Sequence, residues 1–211
     1  NNHVGDYTLV AFKETLSRLI ENNILYAGAG KDYKEATTPA VINVRGLDVG
    51  FLAMSDVGPE WMKATDNRAG ILLANDPNIV DIIAIAKMSV DVLVVSFHFG
   101  DEYSPVNSRQ EKLAHTAIDA GADIVVGHHP HVMQRFEVYK DKPIFYSLGN
   151  FIFDQYFSPH TLQGMVATVF VNPDTKDITS QMQVSPISTQ YIPQLLVPFD
   201  ESMLVNRTFI P

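Results

Sequence analysis

Three of the seven histidines in this chain lie within four consecutive positions. The segment VVGHHPHV, residues 125–132, places His128, His129 and His131 directly after an apolar run. Neutral imidazole is a common ligand for zinc, manganese and iron. Pro130 fixes one backbone dihedral between the last two histidines and can direct both rings towards one ion. The segment therefore predicts one wall of a metal site, and the alternative is a solvated loop that is rich in histidine.

A second polar group follows the apolar segment DVLVVSF, residues 91–97. His98 comes directly after it, and Asp101, Glu102 and Tyr103 follow in the same loop. If the two apolar segments are parallel strands of one sheet, both polar groups lie at the carboxyl edge of that sheet, where ligands bind. A carboxylate there can bind a metal, act as a base or orient a histidine ring. The alternative is a solvent-exposed loop.

Other candidate residues carry a weaker signal. The amide of Asn150, in SLGNFIFD (147–154), can line the same edge, although Gly-Asn is also ordinary turn chemistry. His3 lies in a polar segment before a helix, and the local sequence alone predicts that it is exposed to solvent. His115 and His160 are expected to be structural or exposed to solvent.

Composition excludes several classes of function. The net charge is −9, and the sequence has no basic stripe of the kind that nucleic-acid binding proteins carry. There is no cysteine, which excludes disulfides and thiolate metal sites. The sequence contains no G-x-S-x-G motif, no phosphate-binding P-loop and no G-x-G-x-x-G motif.

Hydrophobic periodicity predicts the elements that position these residues. Continuous apolar runs at 91–97 and 122–127 predict buried strands. The other predicted elements are a helix at 8–22, a strand at 24–27, two strands within 40–55 that turn at Arg45-Gly46, a helix after Asp76-Pro77, a helix at 108–120 capped by Ser108, and hairpins at 135–149 and 163–188. Helices and strands alternate in the first half and the second half is mostly antiparallel, so we expect a mixed α/β fold.

Four stretches together resemble one family. They are NNHVGDY (1–7), HFGDEYSPVNSRQ (98–110), GADIVVGHHPHVMQRFE (121–137) and PIFYSLGNFIFDQ (143–155). In this order and spacing they resemble the CapA family of capsule, or poly-γ-glutamate, biosynthesis proteins, a branch of the calcineurin-like metallophosphoesterases. The resemblance implies a four-layer α/β/β/α sandwich of two mixed sheets.

The resemblance also implies roles for individual residues. The implied metal ligands are Asn2, His98, His129 and His131, and His3 and Glu102 are implied catalytic residues. We also predict that His128, Asn150 and Tyr103 contact substrate. Phe99 stands where the family has tryptophan, which is a mild departure. Aspartate ligands of the superfamily lie upstream of the asparagine-histidine motif with which this chain begins. We therefore expect a domain over 1–190 without its N-terminal strands, completed by an upstream segment or another chain, and a wrapping tail over 191–211.

The implied function is capsule or poly-γ-glutamate biosynthesis with a metal-dependent, phosphoesterase-like site. Divalent manganese, zinc or iron would bind, with two ions in the intact protein. Expected partners are an anionic polymer or phosphoester and the capsule synthesis and export machinery, at the extracellular face of the cell envelope through an upstream membrane anchor. One alternative is a non-catalytic polymer-binding scaffold with a vestigial metal site, and a further one is a metal-dependent amide hydrolase.

Overall fold

The computed structural model describes residues 1–188, 194–195 and 204–206 of the chain, with side chains up to residue 178. The chain forms two compact units. The first comprises Asn1–Phe99 with Asp119–Ala122, and the second comprises Gly100–Ile118 with Asp123–Pro211. Both contain helices and mixed-direction strands, which confirms the predicted α/β class. The layered sandwich and the domain bounds of 1–190 stay predictions.

The first unit alternates helices and strands. Its elements in chain order are α1 Thr8–Glu21, β1 Ala29–Gly30, α2 Tyr33–Ala36, β2 Ala40–Val44, β3 Leu47–Ser55, β4 Gly70–Ile71, α3 Ile79–Met88 and β5 Val92–His98. Strand β3 pairs antiparallel with β2 and parallel with β5. The predicted turn between β2 and β3 is confirmed: Arg45 and Gly46 have φ of 53° and 86°, as a tight hairpin turn requires. The parallel pairing places Ser55 beside His98 at the carboxyl end of β5.

Helix α1 confirms the predicted helix at 8–22, but its buried face is narrower than expected. Phe12 and Leu16 are buried in a cluster with Met62 and Leu73. Ile20 lies four residues after Leu16 and so on the same face of the helix, yet 61 % of its surface is exposed. The helix therefore contacts the core through less than its full apolar stripe.

The strand predicted at 24–27 is wrong. Those residues form no regular element, and the strand in this region is β1, which pairs with β4 at Ala29↔Ile71. Ile24 and Leu25 are largely exposed, so their apolar character does not reflect burial in a sheet. A strand needs a neighbouring backbone to pair with, and local sequence does not report where that neighbour lies.

The second unit contains the two hairpins predicted within 135–149 and 163–188. Its elements are α4 Ser108–Asp119, whose last residue belongs to the first unit, β6 Ile124–His128, β7 Phe136–Tyr139, β8 Lys142–Phe145, β9 Gln163–Val171, β10 Ile178–Ser188, β11 Gln194–Leu195 and β12 Leu204–Asn206. Strand β8 pairs parallel with β6 and antiparallel with β7. Strands β9 and β10 form the second predicted hairpin, and β11 and β12 pair with β10. The rest of the expected tail lies outside the described residues.

The cap of α4 lies one residue earlier than predicted. Asn107 Oδ1 accepts from the Gln110 backbone N–H at 2.9 Å, and Gln110 Oε1 accepts from the Asn107 backbone N–H at 3.1 Å. This reciprocal pair is a capping box. It replaces the predicted Ser108–Glu111 pair, because Glu111 forms an ion pair with Arg135 instead.

None of the helices in the described part of the chain combines the length and the apolar content that a membrane span requires.

Candidate metal centre

A main-chain hydrogen bond joins two of the predicted site loops. The Tyr103 N–H donates to the carbonyl oxygen of Pro130 at 2.8 Å. Glu102 precedes the donor, and His129 and His131 flank the acceptor. The bond therefore holds the carboxylate loop against the histidine loop.

Glu102, His129 and His131 form a group with the composition of a metal site. Each offers one ligand atom, and these atoms all lie within 4.8 Å of one another. One carboxylate and two imidazoles suit zinc, manganese or iron. His129 is buried, with 8 % of its surface exposed, whereas His131 is half-buried and Glu102 is exposed. The residues present therefore fit a divalent cation that is reached from solvent on the Glu102 side.

The backbone of the group is strained. His129 and His131 have φ of 105° and 60°, and Tyr103 has φ of 58°. Non-glycine residues in this region cost on the order of 1–3 kcal/mol each and cluster at functional sites. Pro130 separates the two histidines and cannot adopt a positive φ. The strain turns the histidines out of the regular path of a strand.

Burial favours the neutral, metal-binding form of the deeper histidine. It lowers the pKa of His129, against the opposing effect of the Glu102 carboxylate. Burial also lowers the pKa of His128, at the end of β6. An imidazole must be neutral to bind a metal, so these environments keep the ligand form at lower pH than for a free histidine.

Comparison of the sequence with known proteins identifies a family. Residues 1–155 match the family described as bacterial capsule synthesis protein PGA_cap. The chain belongs to this family.

Two PGA_cap relatives are similar over about three quarters of this chain. The capsule biosynthesis protein CapA of Bacillus anthracis is 43 % identical over 160 residues, which cover 74 % of this chain and 39 % of that protein. The PGA biosynthesis protein CapA of Bacillus subtilis (strain 168) is 41 % identical over 157 residues, 74 % of this chain and 41 % of that protein. The chain thus spans about two fifths of the length of these relatives.

One solved structure is less similar to this chain than the two Bacillus relatives are. The NAD nucleotidase of Haemophilus influenzae aligns with a TM-score of 0.37 and 13 % identity over 93 % of this chain and 37 % of that one. Similarity this distant carries no information on activity.

The remaining predicted ligands of this PGA_cap chain meet in the first unit. Asn2 Oδ1 lies 2.8 Å from His98 Nε2, although 96 positions separate the two residues. His3 is exposed, and its Nδ1 lies 2.8 Å from the Asp6 carboxylate. The structure thus forms two sets, one of Asn2 and His98 and one around Glu102. The individual roles of these residues stay predictions.

Asn150 and Tyr103 both contact His131. Asn150 Oδ1 lies 2.8 Å from His131 Nδ1. The Tyr103 ring stacks beside the imidazole with a centroid distance of 6.0 Å, and Phe153 lies on it at 5.1 Å. Desolvation and the charge of Glu102 raise the pKa of the Tyr103 hydroxyl. His131 is therefore flanked by two aromatic rings, Tyr103 and Phe153, and has Asn150 as a polar neighbour.

Sequence reasoning missed Asp6, Gln155 and Thr161. Asp6 pairs with His3 at a spacing of three residues, which a search for carboxylates beside candidate acids would have found. Gln155 and Thr161 reach the site only through the fold of the loop after Asn150.

The two histidines predicted to lie outside the site do so. His115 Nε2 lies 2.8 Å from Glu137 and its ring stacks on Tyr139. His160 is exposed in a short 3-10 helix, Pro159–Leu162.

Proposed function

We propose that this chain is the metal-site portion of a protein of capsule, or poly-γ-glutamate, biosynthesis, with a metal-dependent, phosphoesterase-like activity. The convergence of Glu102, His129 and His131 is the observation that carries the proposal. Membership of the PGA_cap family and the names of the two Bacillus relatives support the biological role.

In this proposal Glu102, His129 and His131 hold one divalent cation, manganese, zinc or iron. Asn2 and His98 contribute ligands for a second ion in the intact protein. A bound cation would supply Lewis-acid activation of water and charge neutralisation of a phosphoryl group. The strained backbone at His129 and His131 fixes the ligand directions before binding, which reduces the ordering that binding requires.

His3 would transfer the proton to the leaving oxygen. Its Nδ1 contacts the Asp6 carboxylate, which leaves Nε2 as the ring atom for proton transfer. A carboxylate in this position orients an imidazole ring. Both side chains are exposed, so substrate can reach them.

The proposal also covers the cellular location, the partners and the substrate of the protein. We infer association with the cell envelope, exposure at its extracellular face through an anchor outside the described residues, and contact with the capsule synthesis machinery. The substrate is an anionic polymer or a phosphoester. Association with the envelope is supported by the relatives, which are capsule biosynthesis proteins.

Hydrolysis of bis-p-nitrophenyl phosphate by the purified protein, with added manganese or zinc, tests the activity. We expect metal-dependent turnover that falls by at least about 100-fold in His131→Ala, because one of three ligands is lost. His160→Ala is the matched control, since this histidine is exposed and outside the group. Absence of turnover in the wild type, or equal turnover in His131→Ala, would refute the proposal.

Two further outcomes identify the alternatives. Hydrolysis of γ-glutamyl p-nitroanilide, but not of the phosphodiester, with the same dependence on His131 would identify a metal-dependent amide hydrolase. Polymer binding without turnover of either substrate would identify a non-catalytic component.

A further inference from the structure

The side chain of Asn150 has an orientation that its neighbours determine. Asn150 is buried, with 6 % of its surface exposed. Its Nδ2 donates to the Thr161 main-chain carbonyl at 2.9 Å and to Gln155 Oε1 at 3.2 Å. A main-chain carbonyl can only accept, so the Thr161 contact identifies which amide atom is the nitrogen. The amide oxygen is therefore the atom that lies 2.8 Å from His131 Nδ1.

This orientation determines where the proton of His131 lies. An amide oxygen can only accept, so His131 Nδ1 carries the hydrogen and donates it. In a neutral imidazole with Nδ1–H, the lone pair that a metal ion needs is on Nε2. We propose that Asn150 is a positioning residue that holds His131 as the Nδ1–H tautomer, so that Nε2 is its metal-binding atom. The inference rests on the proposed function, because it takes His131 as a ligand.

The backbone at Asn150 is fixed by two glycines. Gly149 has φ of 72° and forms an antiparallel bridge with Gly164. A Cβ atom at Gly164 would lie 2.0 Å from the Asn150 carbonyl oxygen, far inside van der Waals contact. Only glycine at 164 permits this approach, and it holds the chain where the Asn150 side chain meets His131.

A polar network holds the other side of the amide. Thr161 is buried, and its hydroxyl lies 2.7 Å from the Gln155 carbonyl oxygen and 2.8 Å from that of Ser158. Gln155 Nε2 also donates to the Tyr103 hydroxyl at 3.0 Å, and the Tyr103 ring flanks His131. The residues that hold Asn150 thus also position an aromatic neighbour of the same histidine.

The amide hydrogens of Asn150 are used within the protein. Both contacts of Nδ2 are made by protein acceptors, Gln155 and Thr161. Neither hydrogen needs a substrate partner, in contrast to the substrate-binding role predicted for Asn150 from the sequence. Side chains that orient metal-binding histidines typically change metal affinity by 10–100-fold when they are replaced.

Two variants of Asn150 test the assignment. Asn150→Leu keeps the approximate volume and removes the acceptor, and Asn150→Asp keeps an acceptor for Nδ1–H. The first measurement is the nitrogen-15 NMR signature of the His131 ring in metal-free protein at neutral pH. The second is the dissociation constant for Zn²⁺ by titration calorimetry.

We expect Nδ1–H in the wild type and a shift towards Nε2–H in Asn150→Leu, with Zn²⁺ affinity lower by about 10–100-fold. Asn150→Asp should keep the Nδ1–H tautomer and bind Zn²⁺ within about threefold of the wild type or more tightly, because a carboxylate partner raises the basicity of the ring. Asn75→Leu is the matched control: it makes the same substitution at an exposed asparagine whose amide donates to Glu60, outside the network around His131, and it should change the affinity by less than about threefold.

An Nε2–H tautomer in the wild type would overturn the inference, as would an unchanged tautomer and affinity in Asn150→Leu. If Asn150→Leu does not fold, Asn150→Asp decides, and loss of the Nδ1–H tautomer there counts against the inference. A wild type that binds no Zn²⁺ yet shows Nδ1–H refutes the proposed metal site, while the tautomer assignment itself is upheld.

Discussion

At the scale of single residues, the site depends on which carboxylate lies beside the histidines. Two carboxylates, Asp101 and Glu102, are adjacent in sequence and have the same charge. Glu102 belongs to the group with His129 and His131, whereas Asp101 Oδ2 accepts from Asn107 Nδ2 at 2.7 Å. Substitutions of these two residues therefore compare two carboxylates that differ in whether they lie beside the histidines.

Glu102→Gln should weaken Zn²⁺ binding by at least about tenfold, or ~1.4 kcal/mol, because an anionic ligand becomes neutral. Titration calorimetry measures the effect. Asp101→Asn is the control and should change the affinity by less than about twofold. Equal effects of the two substitutions would show that Glu102 acts through general charge and is not a ligand.

At the scale of elements, the second unit relies on hydrogen bonds between segments that are distant in sequence. Gln110 is fully buried; it caps α4 and its Nε2 donates to Gln134 Oε1 at 2.8 Å. Gln134 in turn donates to the Ser104 carbonyl oxygen at 2.8 Å. The start of α4 is thereby joined to both loops of the metal site.

Asn107→Ala should destabilise the protein by about 1 kcal/mol, the usual cost of removing a helix cap. Ser108→Ala, which the sequence alone had marked as the cap, should cost less than about 0.5 kcal/mol. Urea unfolding followed by circular dichroism gives both values. A larger loss for Ser108→Ala would place the cap where the sequence predicted it.

Glu137, in β7, should make the free energy of unfolding depend on pH in the acidic range. Burial alone would raise its pKa, but hydrogen bonds from Tyr146 at 2.7 Å, His115 at 2.8 Å and Arg135 at 3.2 Å outweigh burial and lower it. A carboxyl with a lowered pKa in the folded state stabilises the fold above its ordinary pKa of 4.5 and loses that contribution as the pH falls through the lower value.

Glu137→Gln should therefore cost about 1–3 kcal/mol at pH 7, since hydrogen-bond partners of a half-buried carboxylate are left unsatisfied. It should also lose less stability than the wild type between pH 5 and pH 3, because the titrating group is gone. Urea unfolding at both pH values measures this. Asp174→Asn, at an exposed turn, should leave the pH profile unchanged, and an identical profile in Glu137→Gln would contradict the prediction.

At the scale of the whole molecule, charge opposes the proposed substrate. The net charge is −9, and the metal-site group itself contains one carboxylate and no lysine or arginine. A polyanion that approaches the group of Glu102, His129 and His131 is repelled unless a bound cation offsets the negative charge.

Binding of poly-γ-glutamate should therefore require a divalent cation. We expect binding in the presence of Mn²⁺ or Zn²⁺ and its loss in EDTA, measured by fluorescence anisotropy of labelled polymer across a range of salt concentrations. Glu102→Gln should weaken the metal-dependent binding, and Asp101→Asn should not. Equally tight binding in EDTA, with a steep salt dependence, would instead reveal a basic patch that acts without metal.

Much of the secondary structure followed from local patterns in the sequence. The runs at 91–97 and 122–127 contain the buried strands β5 and β6, the turn at Arg45-Gly46 lies where it was predicted, and β7 and β8 form the hairpin predicted within 135–149. Glycine and apolar periodicity carry this information because they limit the backbone and the buried face locally. The strand at 24–27 and the cap at Ser108 were wrong, because both depend on partners that only the fold supplies.

The sequence by itself determined the chemistry of the site: which residue types were present, and that the histidines of HHPH follow a buried strand. Only the tertiary structure decided which carboxylate joins them, that Asn2 meets His98, and that Asn150 faces His131 with its oxygen. Residue type is a local property that the letters state directly. Distance and hydrogen-bond direction between residues far apart in the chain arise from packing and backbone strain, which no local pattern records.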